Sequence, residues 1–448
     1  MASGTTASLH SSGSLWALAC VWAVGLITVF SVIDRALPRL PFISLDRVIW
    51  LVLMALLAFR WLNWPASRPR LGRLELAMAV YLAVILLAWL PTVPHKALSA
   101  LRQDAWLLTE GVVIPFSALL LARSLDWPRD RLVACLWALA VGAGGFLAGL
   151  GILQYAFSWR LFQPLPSASS GDHVNRVAGT YGNAIAFGIV VALLLLLVLA
   201  LYPHTLKPAL KWVLLLVAGG LMLVLVFNAS LAVWLATPIA LAFALTRRPA
   251  LLRPLLGAVL AAALLAVPAV LLSHRSPAVR AGGAEESLLT PADRLGDSTS
   301  LESHFAANAI ALNMALHRPI FGFGFGSTTF AEHKETYHPT WPNIPREWAA
   351  WPRVPHNEML HMLVMAGLFG LAAYLALLWT TWRSLTWARA SVPSESLRAD
   401  LALFVQAAFV VVVVNALFLD TMYLSQVLVL FYFLLGIVLH APTPVAEV

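Results

Sequence analysis

Charged residues are scarce in this sequence. Asp, Glu, Lys and Arg together make up 11% of the 448 residues, whereas 60% are hydrophobic and the mean hydropathy is +0.83. A typical soluble domain is about one-quarter charged. The composition therefore excludes a soluble globular enzyme and predicts an all-α polytopic membrane protein.

Cysteines are equally few. Cys20 and Cys135 are the only two, and both fall in long apolar runs, which excludes a disulfide framework and a cysteine metal site. The stretch HNEMLH around His356 lacks the spacing of a zinc-binding HExxH helix. We predict no metal and no cofactor.

The positive charge does not indicate nucleic acid. The formal net charge is +8, but many of the basic residues lie in short loops beside apolar runs. There, anionic membrane lipids are nearer partners than nucleic acid. We predict contacts with membrane lipids and no nucleic-acid binding.

Long apolar runs make up most of the chain. A helix needs about 20 mostly apolar residues to cross the ~30 Å hydrocarbon layer, because its backbone polar groups must be bonded within the segment. The fourth run is the weakest, since Glu110 and Pro115 interrupt it. About twelve runs qualify: 15–33, 44–62, 74–91, 106–124, 132–156, 185–203, 211–227, 229–246, 252–273, 357–380, 400–419 and 424–440.

The distribution of Lys and Arg predicts the orientation. With both termini in the cytoplasm, each inner loop carries basic residues, as the positive-inside rule expects. The long polar segment 274–355 then lies on the outer side. We divide the chain into nine helices with short loops (1–273), one large outer loop containing short helices (274–356) and three final helices (357–448).

The outer loop contains two recognisable pieces. Apolar residues at Phe305, Leu312 and Leu316 recur at helical spacing and predict a helix that ends before Pro319. A strip with alternating Gly322, Gly324 and Gly326 follows. It predicts either tightly turned backbone whose N–H groups approach an anion or plain loop geometry.

His356 stands immediately before an apolar run. A histidine has an ordinary pKa of ~6.5 and is the natural general base near neutral pH. The alternative is a residue that only starts the helix. The functional interpretation is slightly favoured, because Pro355 stiffens the approach to a position at the water–lipid boundary. His333, His338 and His361 are predicted to be structural.

A second polar stretch, NRVAGTYGNAIAFG, leads into the sixth span and carries Arg176. A guanidinium can fork two hydrogen bonds onto a phosphate, which an ammonium cannot. The alternative is an arginine that snorkels to the interface.

Three pieces occur in order along the chain: RVAGTYGNA, HRPIFGFGFG and HNEMLHMLVMAGLFG. This arrangement resembles the O-antigen ligase and polymerase superfamily, bacterial membrane glycosyltransferases that use sugars carried on undecaprenyl diphosphate. The resemblance covers the fifth through the tenth span. The length and the absence of a large C-terminal domain are most similar to the ligases.

The resemblance implies a GT-C-like glycosyltransferase of the bacterial inner membrane with its active site on the periplasmic face. The donor is O-antigen on undecaprenyl diphosphate, and the acceptor is the lipid A core oligosaccharide. The reaction is implied to be inverting and metal-independent. His356 is then the general base, oriented by Asn357 or Glu358, and a diphosphate clamp is drawn from Arg176, Arg318 and Arg353.

Three departures from the superfamily pattern leave open which arginines hold the diphosphate. Asn183 is followed by Ala184 and Ile185 instead of a second asparagine. Ser230 is followed by leucine instead of arginine. The outer helix lacks an arginine or lysine around His304.

Two other functions remain possible at this point. An O-antigen polymerase would use the same donor with a lipid-linked glycan as acceptor. A membrane transporter would place ionisable residues on broken helices near the bilayer midplane.

Overall fold

The computed structural model of the protein describes residues 4–30, 44–65, 68–157, 176–181, 183–273, 299–340, 344–350 and 352–440. Within these residues the backbone forms helices, turns and irregular connections and no β-strand. The first part of the predicted outer loop, 274–298, lies outside the described residues. The predicted all-α class is confirmed.

We number the helices of the described residues in chain order. They are α1 (Gly4–Gly25), α2 (Leu45–Asn63), α3 (Arg73–His95), α4 (Leu98–Ser124), α5 (Arg129–Phe157), α6 (Ala184–His204), α7 (Pro208–Phe227), α8 (Leu231–Arg247), α9 (Pro249–Leu272), α10 (Thr299–His317), α11 (Thr329–His333), α12 (Arg346–Ala350), α13 (Glu358–Ala390), α14 (Leu397–Ala416) and α15 (Ser425–Leu439).

Eight of the helices in the described part of the chain are long and apolar enough to cross a membrane: α3, α4, α5, α6, α7, α9, α13 and α14. The segment Leu15–Thr28 and helices α8 and α15 are apolar but shorter. Helix α2 carries charges at Asp46, Arg47 and Arg60. The protein is thus an all-α polytopic membrane protein. Each predicted span coincides with a helix, and the number twelve stays a prediction.

Helix α6 is the central helix of the bundle. From Ala184 to Leu201 its sequence contains no polar side chain, and nearly all of these residues are buried. A helix that is apolar on every side is typical of an interior position. Asn183 begins it, because its side-chain oxygen accepts hydrogen bonds from the backbone N–H groups of Ile185 and Ala186.

The predicted interruption of the fourth span appears as a widened turn. Helix α4 continues through the region, but Thr109–Val113 forms a π-helical segment just before Pro115. Proline has no N–H to donate and clashes with the preceding turn, which favours such local rewinding. Glu110 lies in this segment and forms an ion pair with Arg47 of α2. Glu110, which weakens the apolar run, therefore connects α4 to α2.

Helix α13 folds back at Gly367. This residue has φ 62° and ψ −156°, which are not helical values. The hydroxyl of Tyr81 lies 3.4 Å from the sulfur of Met362, and its ring lies 6.1 Å from the ring of Tyr374. In a straight helix those two partners would be about 18 Å apart. The span predicted over 357–380 coincides with α13 but is interrupted at Gly367, where glycine adopts this backbone conformation without strain.

We call residues 358–366 the half-helix. Its last carbonyls have no helical partner, because the chain turns away at the break. The backbone N–H of Phe323 donates to the carbonyl of Val364 at 2.7 Å, and that of Gly324 donates to Met365 at 3.0 Å. The glycine strip thus donates hydrogen bonds to the carbonyls at the end of the half-helix that have no helical partner.

The bundle has two distinct ends. We call the end that carries residues 299–357 the loop end. At the opposite end, Arg123 forms an ion pair with Glu75, and its carbonyl lies 3.0 Å from the imidazole of His440. Arg398 donates to the carbonyl of His440 at 3.1 Å. Arginines predicted to face the cytoplasm therefore meet at one end, away from the large loop.

Candidate active site

His356 lies on the connection that leads into the half-helix. Its backbone φ is 57°, in the left-handed region that non-glycine residues rarely occupy. Asn357 then begins the helix by accepting hydrogen bonds from the N–H groups of Met359 and Leu360. The N–H of His356 donates to the carboxylate of Asp420 at 3.2 Å. Strained residues that their surroundings hold in place are concentrated at functional sites.

Asp420 anchors this turn from the connection between α14 and α15. One carboxylate oxygen accepts the N–H of His356, and the other lies 2.9 Å from Nδ1 of His361. Asp420 and His361 are both buried, and the His361 ring lies parallel to that of Tyr423 at 6.0 Å. A buried carboxylate requires such partners. Asp420 therefore holds both the backbone of His356 and the side chain of His361 in place.

A second imidazole lies against His356. The ring centroid of His304, on α10, is 4.5 Å from that of His356, with 32° between the ring planes. Two imidazoles this close disfavour a state in which both are protonated. Among the described residues, no group of three His, Cys, Asp or Glu side chains is arranged to hold a metal ion.

The surroundings of His356 set its protonation state. Burial lowers the pKa of His356 below its ordinary value of 6.5, the carboxylate of Asp420 raises it, and His361 adds a further lowering. Burial dominates, so the net direction is downward. The imidazole is therefore neutral at neutral pH and can accept a proton, as a general base must.

Asn357 and Glu358, predicted to orient His356, contact the α14–α15 connection. The Asn357 amide donates to the carbonyl of Leu417 at 3.2 Å. The buried carboxylate of Glu358 accepts the backbone N–H of Met422 at 3.3 Å. Both side chains thus hold the loop that carries the anchoring carboxylate. Asn357 and Glu358 therefore act on His356 indirectly, through the loop that carries Asp420.

Arg353 precedes His356 by three residues and is exposed. Its loop is braced by Lys334, whose ammonium donates to the carbonyls of Ala349 and Pro352 at 2.7 and 3.1 Å. The guanidinium of Arg353 is therefore exposed to solvent, and the backbone that carries it is held in place close to His356.

Arg176 lies on the segment 176–181 that precedes α6. The Gln154 amide exchanges hydrogen bonds of 3.0 and 2.9 Å with the backbone of Gly179, and Asn228 donates to the carbonyl of Val177 at 2.8 Å. The side chain of Arg176 is 2% exposed. A snorkelling arginine keeps its charged head in water, so this burial is unlike that alternative.

A cavity of about 870 Å³ opens at the other end of the half-helix. Arg318, Gly322 and Gly324, all predicted to bind substrate, line it together with Lys96. Apolar side chains from α3, α13 and the glycine strip form most of its wall. The structure therefore brings three of the predicted binding residues into one cavity.

The glycine N–H groups are engaged within the protein. That of Gly322 donates to the carbonyl of Arg318 at 3.1 Å, and that of Gly324 bonds to the break in α13. Both glycines have positive φ, 68° and 101°. A Cβ on Gly322 would lie 2.6 Å from the carbonyl oxygen of Val364. These contacts favour the loop-geometry alternative over direct anion binding by the backbone.

Arg318 and His356 lie at different ends of α10. His304, which touches His356, is fourteen residues before Arg318. At 1.5 Å per residue, these two positions on α10 are about 20 Å apart. The structure thus places Arg318 in the cavity and Arg353 three residues before His356, and the choice among the predicted clamp arginines stays a prediction.

The sequence did not single out Asp420, Lys96 or Asp104 as site residues, and it named His304 only as a departure. Asp420 lies in the short FLDTMY connection, where a carboxylate between two apolar runs was the available signal. Its contacts with His356 and His361 span about 60 positions of sequence. No local spacing could have revealed them.

One family model matches this chain. Residues 214–375 match the model described as O-Antigen ligase. The matched segment includes the histidine pair, Arg318, Arg353 and the glycine strip, whereas Arg176 and Asp420 lie outside it. No curated protein gave a significant match to the chain.

The family implies a glycosyltransferase-like activity with lipid-linked glycans as partners. Two of the three motifs, HRPIFGFGFG and HNEMLHMLVMAGLFG, lie inside the matched segment, whereas RVAGTYGNA precedes it. By its 214–375 segment, the chain is similar to the O-antigen ligase family.

Proposed function

We propose that the protein is an O-antigen ligase. It transfers polysaccharide from undecaprenyl diphosphate to the lipid A core oligosaccharide during lipopolysaccharide assembly. The observation that carries the proposal is His356, an imidazole kept neutral by burial and held by Asp420 in strained backbone inside the family-matched segment. The protein lies in the inner membrane with both termini cytoplasmic and the loop end facing the periplasm.

His356 acts as the general base. It takes the proton from an acceptor hydroxyl, and the oxygen attacks the anomeric carbon of the donor sugar. The bond from that carbon to the diphosphate oxygen breaks, and undecaprenyl diphosphate leaves with the electron pair. One displacement at one carbon gives inversion. Proton transfer by a positioned side chain contributes about 10²–10⁴-fold.

The departing diphosphate requires cations beside the reacting carbon. Arg353 is exposed three residues before His356, and Arg176 is the other candidate at the loop end. Forked guanidinium groups suit a diphosphate better than a point charge. Such preorganised donors stabilise the charge that develops on the leaving oxygen. The proposal needs no further group to carry that charge.

The nearest alternative is the O-antigen polymerase, because the family match supports both. The two predict different phenotypes on deletion of the gene. Without a ligase, long polymer accumulates on undecaprenyl diphosphate. Without a polymerase, the lipid core carries a single repeat.

One observation favours transport. Helix α13 is broken, and the buried carboxylate of Glu358 lies at the start of its half-helix, a geometry that transporters use for ion sites. The family match favours group transfer. Solute flux into vesicles without lipid-linked donor supports transport, and its absence supports transfer.

The decisive experiment mixes purified protein, lipid-linked glycan and lipid A core and detects glycan-capped core by mass spectrometry. The assay is run with and without a chelator. We expect capped core in both. Absence of capped core with active donor and acceptor contradicts the proposal, and loss only with chelator contradicts its metal-independent form.

A further inference from the structure

The cavity of about 870 Å³ lies apart from the proposed reaction centre. The donor diphosphate is bonded directly to the sugar carbon under attack, so it must lie within a few ångströms of His356. The cavity begins near the end of the half-helix, where Ala366 lines it. The half-helix, about 12 Å long over residues 358–366, separates Ala366 from the turn that carries His356. The cavity therefore does not hold the reacting diphosphate.

The polar part of the cavity suits a phosphate group. Arg318 is exposed and lies over the ring of Phe323 at 4.9 Å, which leaves the edge of its guanidinium open to a ligand. Lys96 uses one of its three N–H groups on Asp104 at 2.7 Å. Two histidines and one carboxylate, Glu332, also line the cavity.

The apolar part suits a hydrocarbon tail. Leu87, Phe321 and Phe369 line the cavity, and each is more than half exposed on the surface of the bundle. The rings of Phe321 and Phe369 stack at 5.6 Å. Because α3 and α13 are long and apolar enough to cross a membrane, this exposed wall suits contact with lipid. A chain can thus pass from the bilayer along these residues.

The cavity is held open by fixed contacts. The N–H of Phe325 donates to the carbonyl of Ala88 at 3.1 Å, which ties the glycine strip to α3. The N–H and hydroxyl of Ser327 donate to the buried carboxylate of Asp104 at 2.7 and 2.9 Å. The same carboxylate holds Lys96. The basic groups are therefore positioned before any ligand arrives.

We propose that this cavity binds the phosphate-bearing head of the lipid that anchors the acceptor, which rests on the proposed function. Arg318 and Lys96 contact the phosphate, and the tail lies along Leu87, Phe321 and Phe369. Several sugar residues of the acceptor then bridge the distance to His356. A lipid anchor can lie this far from the reacting hydroxyl, whereas the donor diphosphate cannot.

A binding measurement tests the site directly. Purified protein is titrated with fluorescent dioleoyl phosphatidic acid in detergent, with the matching diacylglycerol as the probe that lacks phosphate. We expect phosphatidic acid to bind at least about tenfold more tightly than diacylglycerol. Arg318→Gln should remove most of that difference, and the matched control Arg346→Gln, at an exposed arginine of α12 that does not line the cavity, should keep it.

Lys96 is left intact in these variants, because its removal would strand the buried carboxylate of Asp104. Phe369→Ala tests the tail path instead and should weaken both lipid probes. Inorganic phosphate tests the source of the phosphate and should fail to displace the lipid at millimolar concentration. Equal affinity of Arg318→Gln and Arg346→Gln, equal affinity for both lipids, or full displacement by inorganic phosphate overturns the proposal.

Kinetics separate this inference from the proposed function. Arg318→Gln should raise KM for the acceptor lipid about tenfold with little change in kcat. His356→Ala should bind phosphatidic acid as the wild type does. If His356→Ala transfers glycan normally while Arg318→Gln loses lipid, the proposed base is wrong and the lipid site stands. If Arg318→Gln instead lowers kcat with unchanged KM, the lipid site is wrong.

Discussion

The two ends of the half-helix are built differently. At the His356 end, a strained backbone, a buried carboxylate and two adjacent imidazoles come together. At the Gly367 end, glycines and an open break in α13 leave a wide, mainly apolar cavity with an exposed guanidinium. Preorganised polar groups suit chemistry, whereas open apolar space suits the binding of a lipid. The difference supports our proposal that the half-helix separates the reaction from the anchoring of the acceptor lipid.

Removal of the imidazole should have the largest effect. His356→Ala should lower kcat by about 10²–10⁴-fold, because it deletes the proposed general base. His304→Ala, which removes the neighbouring ring and leaves the base, is the matched comparison and should cost less. The measurement is steady-state transfer by purified protein with thermal unfolding as the folding control. An equal or larger loss in His304→Ala would move the base to the other ring.

Removal of the Asp420 carboxylate should have the second largest effect on kcat. Asp420→Asn weakens the hold on the His356 backbone, and misplacement of a catalytic group by about 1 Å can cost on the order of 10²-fold. We expect kcat to fall by about 10–100-fold while lipid binding at the cavity is unchanged. Asp420→Glu should recover part of the rate. A fall in acceptor affinity with unchanged kcat would instead place Asp420 in binding.

A substitution at the cavity end of the half-helix should lower the stability of the protein. Gly322→Ala forces a side chain into a positive φ and against the carbonyl of Val364, so it should lower the free energy of unfolding by about 1–3 kcal/mol. Gly149→Ala in α5 is the control, since a Cβ there meets nothing within 4 Å. That change should be neutral or slightly stabilising. Similar unfolding midpoints for both variants would contradict the packing described here.

The pH dependence should show the smallest effect. Burial lowers the pKa of His356, so the neutral base persists below pH 6.5 and is lost only as the pH falls through that lowered value. The kcat/KM of wild-type protein should therefore be flat near neutrality and decline with a midpoint below pH 6.5. A midpoint well above 7 would show that burial does not control this group.

The helices of the bundle could be predicted closely from the sequence. The runs 185–203 and 252–273 coincide with Ala184–His204 and Pro249–Leu272, because apolar length alone decides membrane insertion. The outer helix was also found, since its apolar spacing corresponds to Thr299–His317. Such features depend on local composition.

The candidate site could be predicted only in part. His356 stands out because a titratable group opens an apolar run, but the fold-back at Gly367 leaves no local signal, as glycine is common in membrane helices. The separation of Arg318 from His356 depends on how α10 lies along the half-helix. Asp420 contacts residues that lie about 60 positions away in the sequence. These features arise from long-range packing, which spacing does not encode.

The central claim is that reaction and lipid anchoring occupy opposite ends of the half-helix. The most direct test is kcat at saturating acceptor lipid for wild type, His356→Ala and Arg318→Gln, assayed side by side. The account predicts that saturation restores Arg318→Gln to within about twofold of wild type and leaves His356→Ala at least about 10²-fold slower. An equal and persistent loss of kcat in both variants would contradict it.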